Sequence, residues 1–464
     1  MAGDHGGAAL RRWSRTLRSW TARRLLTLSL AGGLVATLLG ATRPDRSPPL
    51  LGAGLLGNRT TLVAVAPDDA GGAAYLPGST VLRLADGRLR HLPPGAAEPV
   101  TVAADDPAAL AAVARERAWL AAGTVPGAGA AEREAAGASL LFLRLLVRPG
   151  GAALAAQTPY WAYVWPRDAS FVAAALAVTG HRAEAAEVLG FLARSQRPDG
   201  TWPARSHPDG RPVTDGRPSQ LDAAGWVPWA AWLASDRGRD RRLAERLWPS
   251  VRAAADVAAG SLDAAGLPPA GADYWERREH APTLGTAAAL GVGLRAASQL
   301  AGRLGHADRR AAWSQAAGRL DLAVREWFGP TGYQRHPHGG GPDAAVVWLA
   351  PPFAPPDPVV GAAVAAAWRR LGAGGGAVPG LPWRGSDPWT PATASFALAA
   401  MAGGDRPAAQ ARLGWLLDHR TSLGAFPERV GRDDGAPRSV APLAWTHAIV
   451  LLTLVSREGG VPTP

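Results

Sequence analysis

Apolar residues recur at helical spacing through most of the chain after about residue 106, in Ala-rich segments that Gly and Pro separate. This spacing is typical of helices that bury one face. No internal repeat of about 20 to 50 residues is visible, which argues against a uniform solenoid and leaves a closed toroid of helix pairs as the alternative. Twelve helices are predicted, over residues 107–122, 131–147, 169–178, 182–195, 221–234, 241–259, 283–304, 307–327, 359–371, 390–402, 407–417 and 441–455.

The segment before these helices has a different pattern. Residues 60–65 and 79–84 have the composition of short strands, and an Asp-Gly turn connects the second of them to a return strand over 88–92. Because residues 43 to about 57 are rich in Pro, Gly and Leu, they suit a linker. We therefore predict a linker and small β-rich region over 43–105, a helical domain over 106–458 and a tail over 459–464.

An uncharged apolar stretch of 18 residues, 25–42, follows a segment, 1–24, that carries six arginines and one acid. As a helix the stretch would measure roughly 27 Å, which is just enough to cross the apolar core of a bilayer. It is longer than most signal-peptide cores, and Leu39 makes a poor cleavage site, so we favour a membrane anchor over a cleaved signal peptide. By the positive-inside rule, residues 1–24 are then cytoplasmic and the helical domain lies outside the cytoplasm, at the cell membrane. Cleavage would give a secreted protein instead.

Composition narrows the function classes. The 464 residues include 49 basic and 38 acidic side chains, every basic one is arginine, and the net charge is +11. Much of the excess lies in residues 1–24 and no dense basic run follows, which argues against nucleic-acid binding. The 47% hydrophobic content and 19 Trp exclude a wholly disordered chain. The absence of Cys excludes disulfides, thiolate metal sites and cysteine nucleophiles.

Two loops that open predicted helices carry candidate functional residues. The sequence VWPRD places Arg167 and Asp168 at a helix N-terminus beside Trp165. An Arg/Asp pair flanked by aromatic rings suits a polyhydroxyl ligand, although Asp168 could also be a plain N-cap. The sequence DYWERRE places Glu276 next to Trp275. A carboxylic acid beside Trp can be kept protonated by desolvation and act as a general acid, or the acids can simply favour a helix N-terminus.

Two more loops add candidates of the same kind. Gln220 and Asp222 lie in QLD, downstream of an Asp-Gly turn that is also compatible with an ordinary interhelical loop. Glu428, in PER, precedes the last helix, and Trp445 follows in PLAW. A toroid could bring two distant carboxylates such as Glu276 and Glu428 together, one as acid and one as base for glycoside cleavage. Sequence spacing does not show whether it does.

Taken in order, VWPRD, QLD, YWE, PER and PLAW resemble glycoside hydrolase family 15, the glucoamylase family with its glucodextranase- and trehalase-like members, over residues 135–456. The resemblance implies an all-α (α/α)6 barrel, here with a small N-terminal β appendage and the membrane segment of an anchored, actinobacterial-type member. It also implies an inverting, exo-acting α-glucoside hydrolase that releases glucose from the non-reducing ends of α-linked oligo- or polysaccharides. Such an enzyme needs no metal or organic cofactor, and we expect a monomer.

The resemblance also implies a role for each matching residue. Glu276 would be the general acid and Glu428 the general base, with their carboxylates about 6.5 to 9.5 Å apart, as inversion requires. Arg167 and Asp168 would hold the non-reducing glucose, and Trp275 would line the site. The other expected substrate-binding residues are Trp165, Gln220, Asp222, Arg384, Trp389 and Trp445.

The match is incomplete in places that affect substrate choice. Arg277 stands where the family often has a second Glu, the loop that carries Arg384 is short, and no starch-binding module is recognisable. Short oligosaccharides or a cell-envelope glycan therefore suit the chain better than granular starch. A membrane-tethered glycan-binding protein with little or no turnover is the alternative function. A terpene-cyclase-like toroid is disfavoured because only one QxxxGxW motif occurs, and the His336-Pro-His338 segment is interpreted as an exposed loop rather than a metal site.

Overall fold

The computed structural model describes residues 48–58, 60–381, 383 and 385–464. The predicted cytoplasmic segment 1–24, the predicted membrane segment 25–42 and Arg384 lie outside these residues. Among the residues described, no helix is both long enough and apolar enough to span a bilayer.

Helices dominate the described part of the chain, and all twelve predicted helices are present. Their ends differ from the predicted ones by a few residues, as is usual where caps decide the boundary. The helices are α1 Pro107–Ala121, α2 Ala130–Leu146, α3 Pro166–Val178, α4 Arg182–Arg194, α5 Ala223–Gly238, α6 Arg241–Gly260, α7 Leu284–Leu304, α8 Ala307–Trp327, α9 Pro358–Leu371, α10 Thr390–Ala402, α11 Arg406–Asp418 and α12 Ala444–Ser456.

Helix contacts close into a ring. The inner members are α3, α5, α7, a 3-10 helix at Ala344–Leu349, α10 and α12, and α12 packs back onto α3. Each inner member is covered by one outer helix: α4 on α3, α6 on α5, α8 on α7, α9 on the 3-10 helix, α11 on α10 and α2 on α12. The described residues therefore form an all-α barrel of inner and outer helices, as the sequence pattern predicts.

Burial separates the two rings. In each of α3, α10 and α12, twelve of the thirteen residues are buried, so these helices are apolar on every side. The outer helix α6 instead buries one stripe that includes Leu243, Leu247, Val251 and Ala254. A helix that is apolar all round belongs in the interior, whereas one with a stripe covers it. The inner 3-10 helix is missed by the sequence prediction because six residues are too few to display helical periodicity.

Two glycines let neighbouring inner helices approach closely. A Cβ at Gly225 in α5 would lie 2.0 Å from the carbonyl oxygen of Ala289 in α7, and one at Gly293 would lie 2.4 Å from Gly225 Cα. Only hydrogen fits at such a distance, so any larger side chain would force α5 and α7 apart.

Small antiparallel sheets precede the barrel in the sequence and also lie in the loops between its helices. The hairpin predicted around the Asp-Gly turn is confirmed as β4 Leu82–Arg83 and β5 Leu89–His91, which pair in a sheet of order β3-β4-β5-β6. The predicted strand at 60–65 is β2 Leu62–Val65, and its partner β1 Gly54–Gly57 falls in the region predicted as linker. The remaining strands are β3 Ala74–Tyr75, β6 Val100–Val102, β7 Gly372–Ala373, β8 Gly376–Ala377, β9 Arg429–Val430 and β10 Pro437–Arg438.

A neutral histidine connects α12 to its surroundings. His447 is completely buried. Its Nε2 accepts a hydrogen bond from the Phe426 backbone N–H at 3.1 Å, so its Nδ1 carries the proton and donates to Ser139 Oγ of α2 at 2.8 Å. Burial and, to a smaller extent, the positive charge of Arg420 lower the pKa of His447 from 6.5 to about 3.

We predict that His447 makes the fold sensitive to acid. Between pH 6.5 and about 3, the imidazole binds a proton in the unfolded state but not in the folded state. The free energy of unfolding therefore decreases as the pH is lowered through this window. The contribution is about 1.4 kcal/mol per pH unit. His447→Gln should therefore lower stability at neutral pH yet flatten its pH dependence by that slope, as measured by urea unfolding from pH 4 to 7. His280→Gln, at an exposed position, is the control; an unchanged slope in His447→Gln would contradict the prediction.

Candidate active site

The N-terminal ends of inner helices meet around one cavity of about 810 Å³, measured out to its open mouth. Its walls come from the start of α3, the loop before α7, the start of α10, the segment next to β9 and the start of α12. Eight of the predicted site residues line it, from all five of these segments: Trp165, Arg167, Asp168, Trp275, Glu276, Trp389, Glu428 and Trp445. Barrel closure thus brings together residues that are up to 280 positions apart in sequence.

The floor of the cavity holds a buried ion-pair cluster. Arg167 donates from Nε to Asp168 Oδ1 at 3.2 Å and from Nη1 to Gln220 Oε1 at 3.0 Å and Asp222 Oδ2 at 3.3 Å. Gln220 and Asp222 do not line the cavity, and they lie behind Arg167. Their predicted contact with substrate stays a prediction, whereas their contact with Arg167 is part of the structure.

Burial dominates the electrostatics of this floor. It raises the pKa of Asp168 to about 6, although the positive charge of Arg167 acts in the opposite direction. It raises the pKa of Asp222 as well. Asp168 lies in the first turn of α3, where the helix dipole favours a negative charge. The pair therefore presents a carboxylate and a guanidinium in a dry setting, where hydrogen bonds to sugar hydroxyls are strong.

A cluster of aromatic rings lies beneath the floor. The Arg167 guanidinium stacks on the ring of Trp445 at 4.8 Å. Trp445 in turn contacts Phe171, with ring centroids 5.9 Å apart, and Phe171 packs against Trp226 and Trp229 of α5. These three are buried core residues, so the cavity ends at this layer. The tryptophans of the chain are therefore divided between the loops that line the cavity and the barrel interior.

Glu276 lies on a tight turn before α7. Its backbone N–H donates to the Asp273 carbonyl at 2.8 Å, and its φ of 57° falls in the left-handed region that non-glycine residues rarely adopt. Such a conformation costs of order 1 kcal/mol and is found mainly where the surroundings impose it, often at functional sites. Its two carboxylate oxygens are both engaged: the Trp165 indole N–H donates to Oε1, and Arg217 Nη1 donates to Oε2.

A buried arginine supports this turn from below. Arg335 Nη2 binds Asp273 Oδ1 at 2.9 Å and Glu279 Oε1 at 2.8 Å, and its Nη1 binds Asp343 Oδ2 at 2.6 Å. The guanidinium lies 3.7 Å from the ring centroid of Trp275. Burial alone would lower the pKa of Arg335, but the charges of Asp343 and Asp273 raise it above its ordinary value. Of the segment predicted to be an exposed loop, His338 is exposed, whereas His336 is half-buried and Pro337 is buried.

Glu428 has its own set of partners. It is buried, and Ser439 Oγ donates to its Oε2 at 2.5 Å. Arg429 Nε lies 3.5 Å from the same oxygen. The backbone of Glu428 is fixed on both sides, since its N–H donates to Val440 and its carbonyl accepts from Thr390 N–H of α10. A carboxylate fixed in this way suits an acceptor role.

Stacked tryptophans and arginines form the mouth. Trp383 lies edge-on between Trp275 and Trp389, with 5.1 Å between centroids on each side. Arg277, the departure noted in the sequence, stacks 5.1 Å from Trp275 and 5.0 Å from Trp383. A glycine is required opposite, because a Cβ at Gly380 would lie 2.2 Å from Trp275 Cζ2. This aromatic wall offers flat apolar faces of the kind that cover a sugar ring.

Several residues that line the cavity are missed by sequence reasoning. Arg217 lies in a loop with no periodic pattern, and Tyr160 and Trp161 flank a motif that was recognised for its charged pair. Trp383 and Arg429 adjoin predicted residues, so a wider reading of the same motifs could have found them. Among the residues described, no group of three or more His, Asp or Glu side chains is arranged to bind a metal ion.

Known proteins share this architecture. No protein-family model matches the chain. An uncharacterized glycosyl hydrolase from Methanocaldococcus jannaschii is 26% identical over 348 residues, which is 69% of this chain and 55% of the relative, so the chain spans about half the length of the curated relative it matches.

Several solved structures superpose on this barrel. A bacterial glucoamylase complexed with acarbose superposes with a TM-score of 0.62 at 18% identity, over 76% of this chain and 59% of that one. A glycosidase variant in complex with glucose gives 0.60 at 24% identity, over 70% and 96%. The family 15 glucoamylase from Hypocrea jecorina gives 0.55 at 17%, over 69% of each chain. The fold is that of the glucoamylases.

We predict that Arg335 is essential to the stability of this glucoamylase-like barrel. Arg335→Met would leave two fully buried carboxylates, Asp273 and Asp343, without their counter-ion. Loss of one partner from such a cluster should cost about 3 to 5 kcal/mol of unfolding free energy. The matched control is Arg325→Met, which breaks the ion pair between the exposed Arg325 and the half-buried Asp357 and should cost less than about 1 kcal/mol. Equal losses in urea unfolding would refute the prediction.

Proposed function

We propose that this protein is an inverting, exo-acting α-glucoside hydrolase that releases glucose from the non-reducing ends of α-linked gluco-oligosaccharides. The observation that carries the proposal is the presence of two carboxylates, Glu276 and Glu428, in the wall of one cavity that also has a buried Arg/Asp pair and aromatic faces. The glucoamylase-like fold and the glycosyl hydrolase relative support the same class of reaction.

In this mechanism the two carboxylates act on opposite faces of the sugar. Glu276, in its protonated form, gives its proton to the glycosidic oxygen as the bond from that oxygen to C1 breaks. Glu428 accepts a proton from water while the water oxygen bonds to C1 from the opposite face. The products are one glucose of inverted configuration and a shortened chain. Before the next bond is cleaved, Glu276 regains a proton from solvent and Glu428 loses one to it.

The floor of the cavity supports exo action. Arg167 and Asp168 would hold the hydroxyls of the terminal glucose, because a guanidinium donates and a carboxylate accepts hydrogen bonds. Trp445 and the aromatic layer beneath it close the cavity, so a chain can enter by its end only. We assign the polar contacts of that glucose to Arg167 and Asp168, and the stacking contacts of the mouth to Trp275, Trp383 and Trp389.

The test is to incubate the portion from residue 43 with maltose, isomaltose, trehalose and longer α-glucans and to follow the first anomer by NMR. We expect β-glucose, because water attacks the face opposite to the leaving oxygen. α-Glucose as first product would refute inversion. Glu276→Gln and Glu428→Gln should each reduce kcat by at least about 10² to 10⁴, whereas Glu326→Gln, on an exposed position of α8, should not. Binding without turnover in the unmodified protein would favour the glycan-binding alternative.

We also propose that residues 25–42 anchor the enzyme in the cell membrane, with the barrel outside the cytoplasm. The arginine-rich segment before the apolar stretch supports this orientation. We expect the full chain to sediment with membranes, to stay there in high salt and to be digested by protease added outside intact cells. Deletion of residues 1–42 should leave it unattached. Recovery of a shortened chain in the medium would indicate a secreted protein and overturn the anchor.

A further inference from the structure

The general acid proposed above is capped on both of its oxygens. The Trp165 indole and the Arg217 guanidinium donate to Oε1 and Oε2 of Glu276, respectively. A carboxyl group that serves as an acid must carry its proton on one oxygen and aim it at the leaving oxygen. Two N–H donors on the two oxygens instead suit an ionised carboxylate, since hydrogen bonds to the charged form stabilise it, and more so when one donor is a cation.

The two donors differ in exposure and charge. Trp165 is buried and neutral, and it precedes the first residue of α3. Arg217 lies on an exposed loop directly after Gly216, whose φ is 79°, and its side chain is 36% exposed. It is therefore the removable one. Its positive charge also favours the ionised form of Glu276, whereas an indole does so only through a neutral hydrogen bond.

A second ion pair gives Arg217 a place to remain after release. Its Nε lies 3.1 Å from Asp215 Oδ2, and the same oxygen accepts a hydrogen bond from Arg205. Arg205 is buried, stacks on Tyr163 at 4.5 Å and donates to the Tyr160 carbonyl at 2.8 Å. Asp215 thus binds the buried Arg205 on one side and the partly exposed Arg217 on the other.

We propose that Arg217 is a latch on Glu276 that entering substrate displaces. This inference rests on the proposed function, because it assigns Glu276 the acid role. In the latched state Glu276 is ionised and inactive as an acid. When a sugar enters, Arg217 leaves Oε2 and stays paired with Asp215. The freed oxygen takes one proton from solvent and later gives it to the glycosidic oxygen, so no proton is gained or lost over the cycle.

The other charged and titratable groups of the cavity have partners of their own. Asp168 pairs with Arg167, Tyr274 donates to Asp343, and Glu428 accepts from Ser439 and adjoins Arg429. Arg277, the next residue in sequence, stacks between two tryptophan rings. Among the described residues, Arg217 is the charged side chain whose contact with the Glu276 carboxylate is direct. Its removal is therefore the change that isolates the latch.

The experiment compares pH profiles of kcat/KM and kcat for Arg217→Gln and wild type. The first parameter reports on the free enzyme and the second on the complex. Without the latch, the basic limb of kcat/KM should move up by about one pH unit or more, which is roughly tenfold in rate at high pH. The basic limb of kcat should not move, since substrate has already displaced Arg217 there. Arg217→Lys, which keeps the charge, should restore the wild-type limb.

Arg211→Gln is the matched control, because Arg211 lies on the same exposed loop and pairs with Asp209 alone. It should leave both profiles unchanged. If neither limb moves in Arg217→Gln, Arg217 is a structural residue and the latch is refuted. If both limbs move together, Arg217 stays on Glu276 in the complex and displacement is refuted.

A second readout does not depend on turnover. Calorimetry of maltose binding to Glu428→Gln protein, in buffers of different ionisation heat, measures protons taken up on binding. At pH values between the basic limb of kcat/KM and that of kcat, we expect the uptake of nearly one proton on binding. Adding Arg217→Gln to the Glu428→Gln protein should abolish this proton uptake. If wild type binds one of maltose, isomaltose and trehalose but cleaves none of them, the proposed function fails. Proton uptake on binding that sugar would then still support the latch, and its absence would refute it. If none of them binds, both proposals fail.

Discussion

Closure of the helical ring is the constraint on which the site depends. The last inner helix, α12, packs on the first, α3, and this contact places Trp445 against Arg167. In α3, α10 and α12 nearly every residue is buried, so these inner helices are stable only when neighbours surround them. Because every inner helix follows an outer one, the inner N-termini meet at one end, and the loops that precede them share one cavity.

The charges of this cavity are paired in two different ways. Below the turn that carries Glu276, Arg335 binds three carboxylates in a buried cluster. This cluster fixes Trp275 and the backbone of Glu276. At the mouth, Arg217 binds Glu276 from an exposed loop. Buried pairs are costly to break, whereas pairs open to solvent exchange partners at little cost. A buried arginine cluster below Glu276 and a displaceable Arg217 above it suit the proposed acid, which must change its protonation state within each cycle.

Prediction from sequence succeeded where a local signal exists. Helical periodicity gave all twelve helices, and the ordered motifs gave seven of the residues that line the cavity. It failed where the signal is short or non-local. The inner 3-10 helix at Ala344–Leu349 is too brief to show a period, and no local signal marks Arg335, whose partner Asp273 lies 62 positions away in the sequence.

The sequence by itself determined the all-α class, the approximate helices and the chemical types of the candidate residues, because each of these follows from local spacing and composition. Only the tertiary structure decided which of those residues meet. It placed Gln220 and Asp222 behind Arg167 rather than in the cavity, and it brought Arg217, from a loop without periodicity, onto Glu276. The physical reason is that ring closure sets distances between segments that have no relation to their separation along the chain.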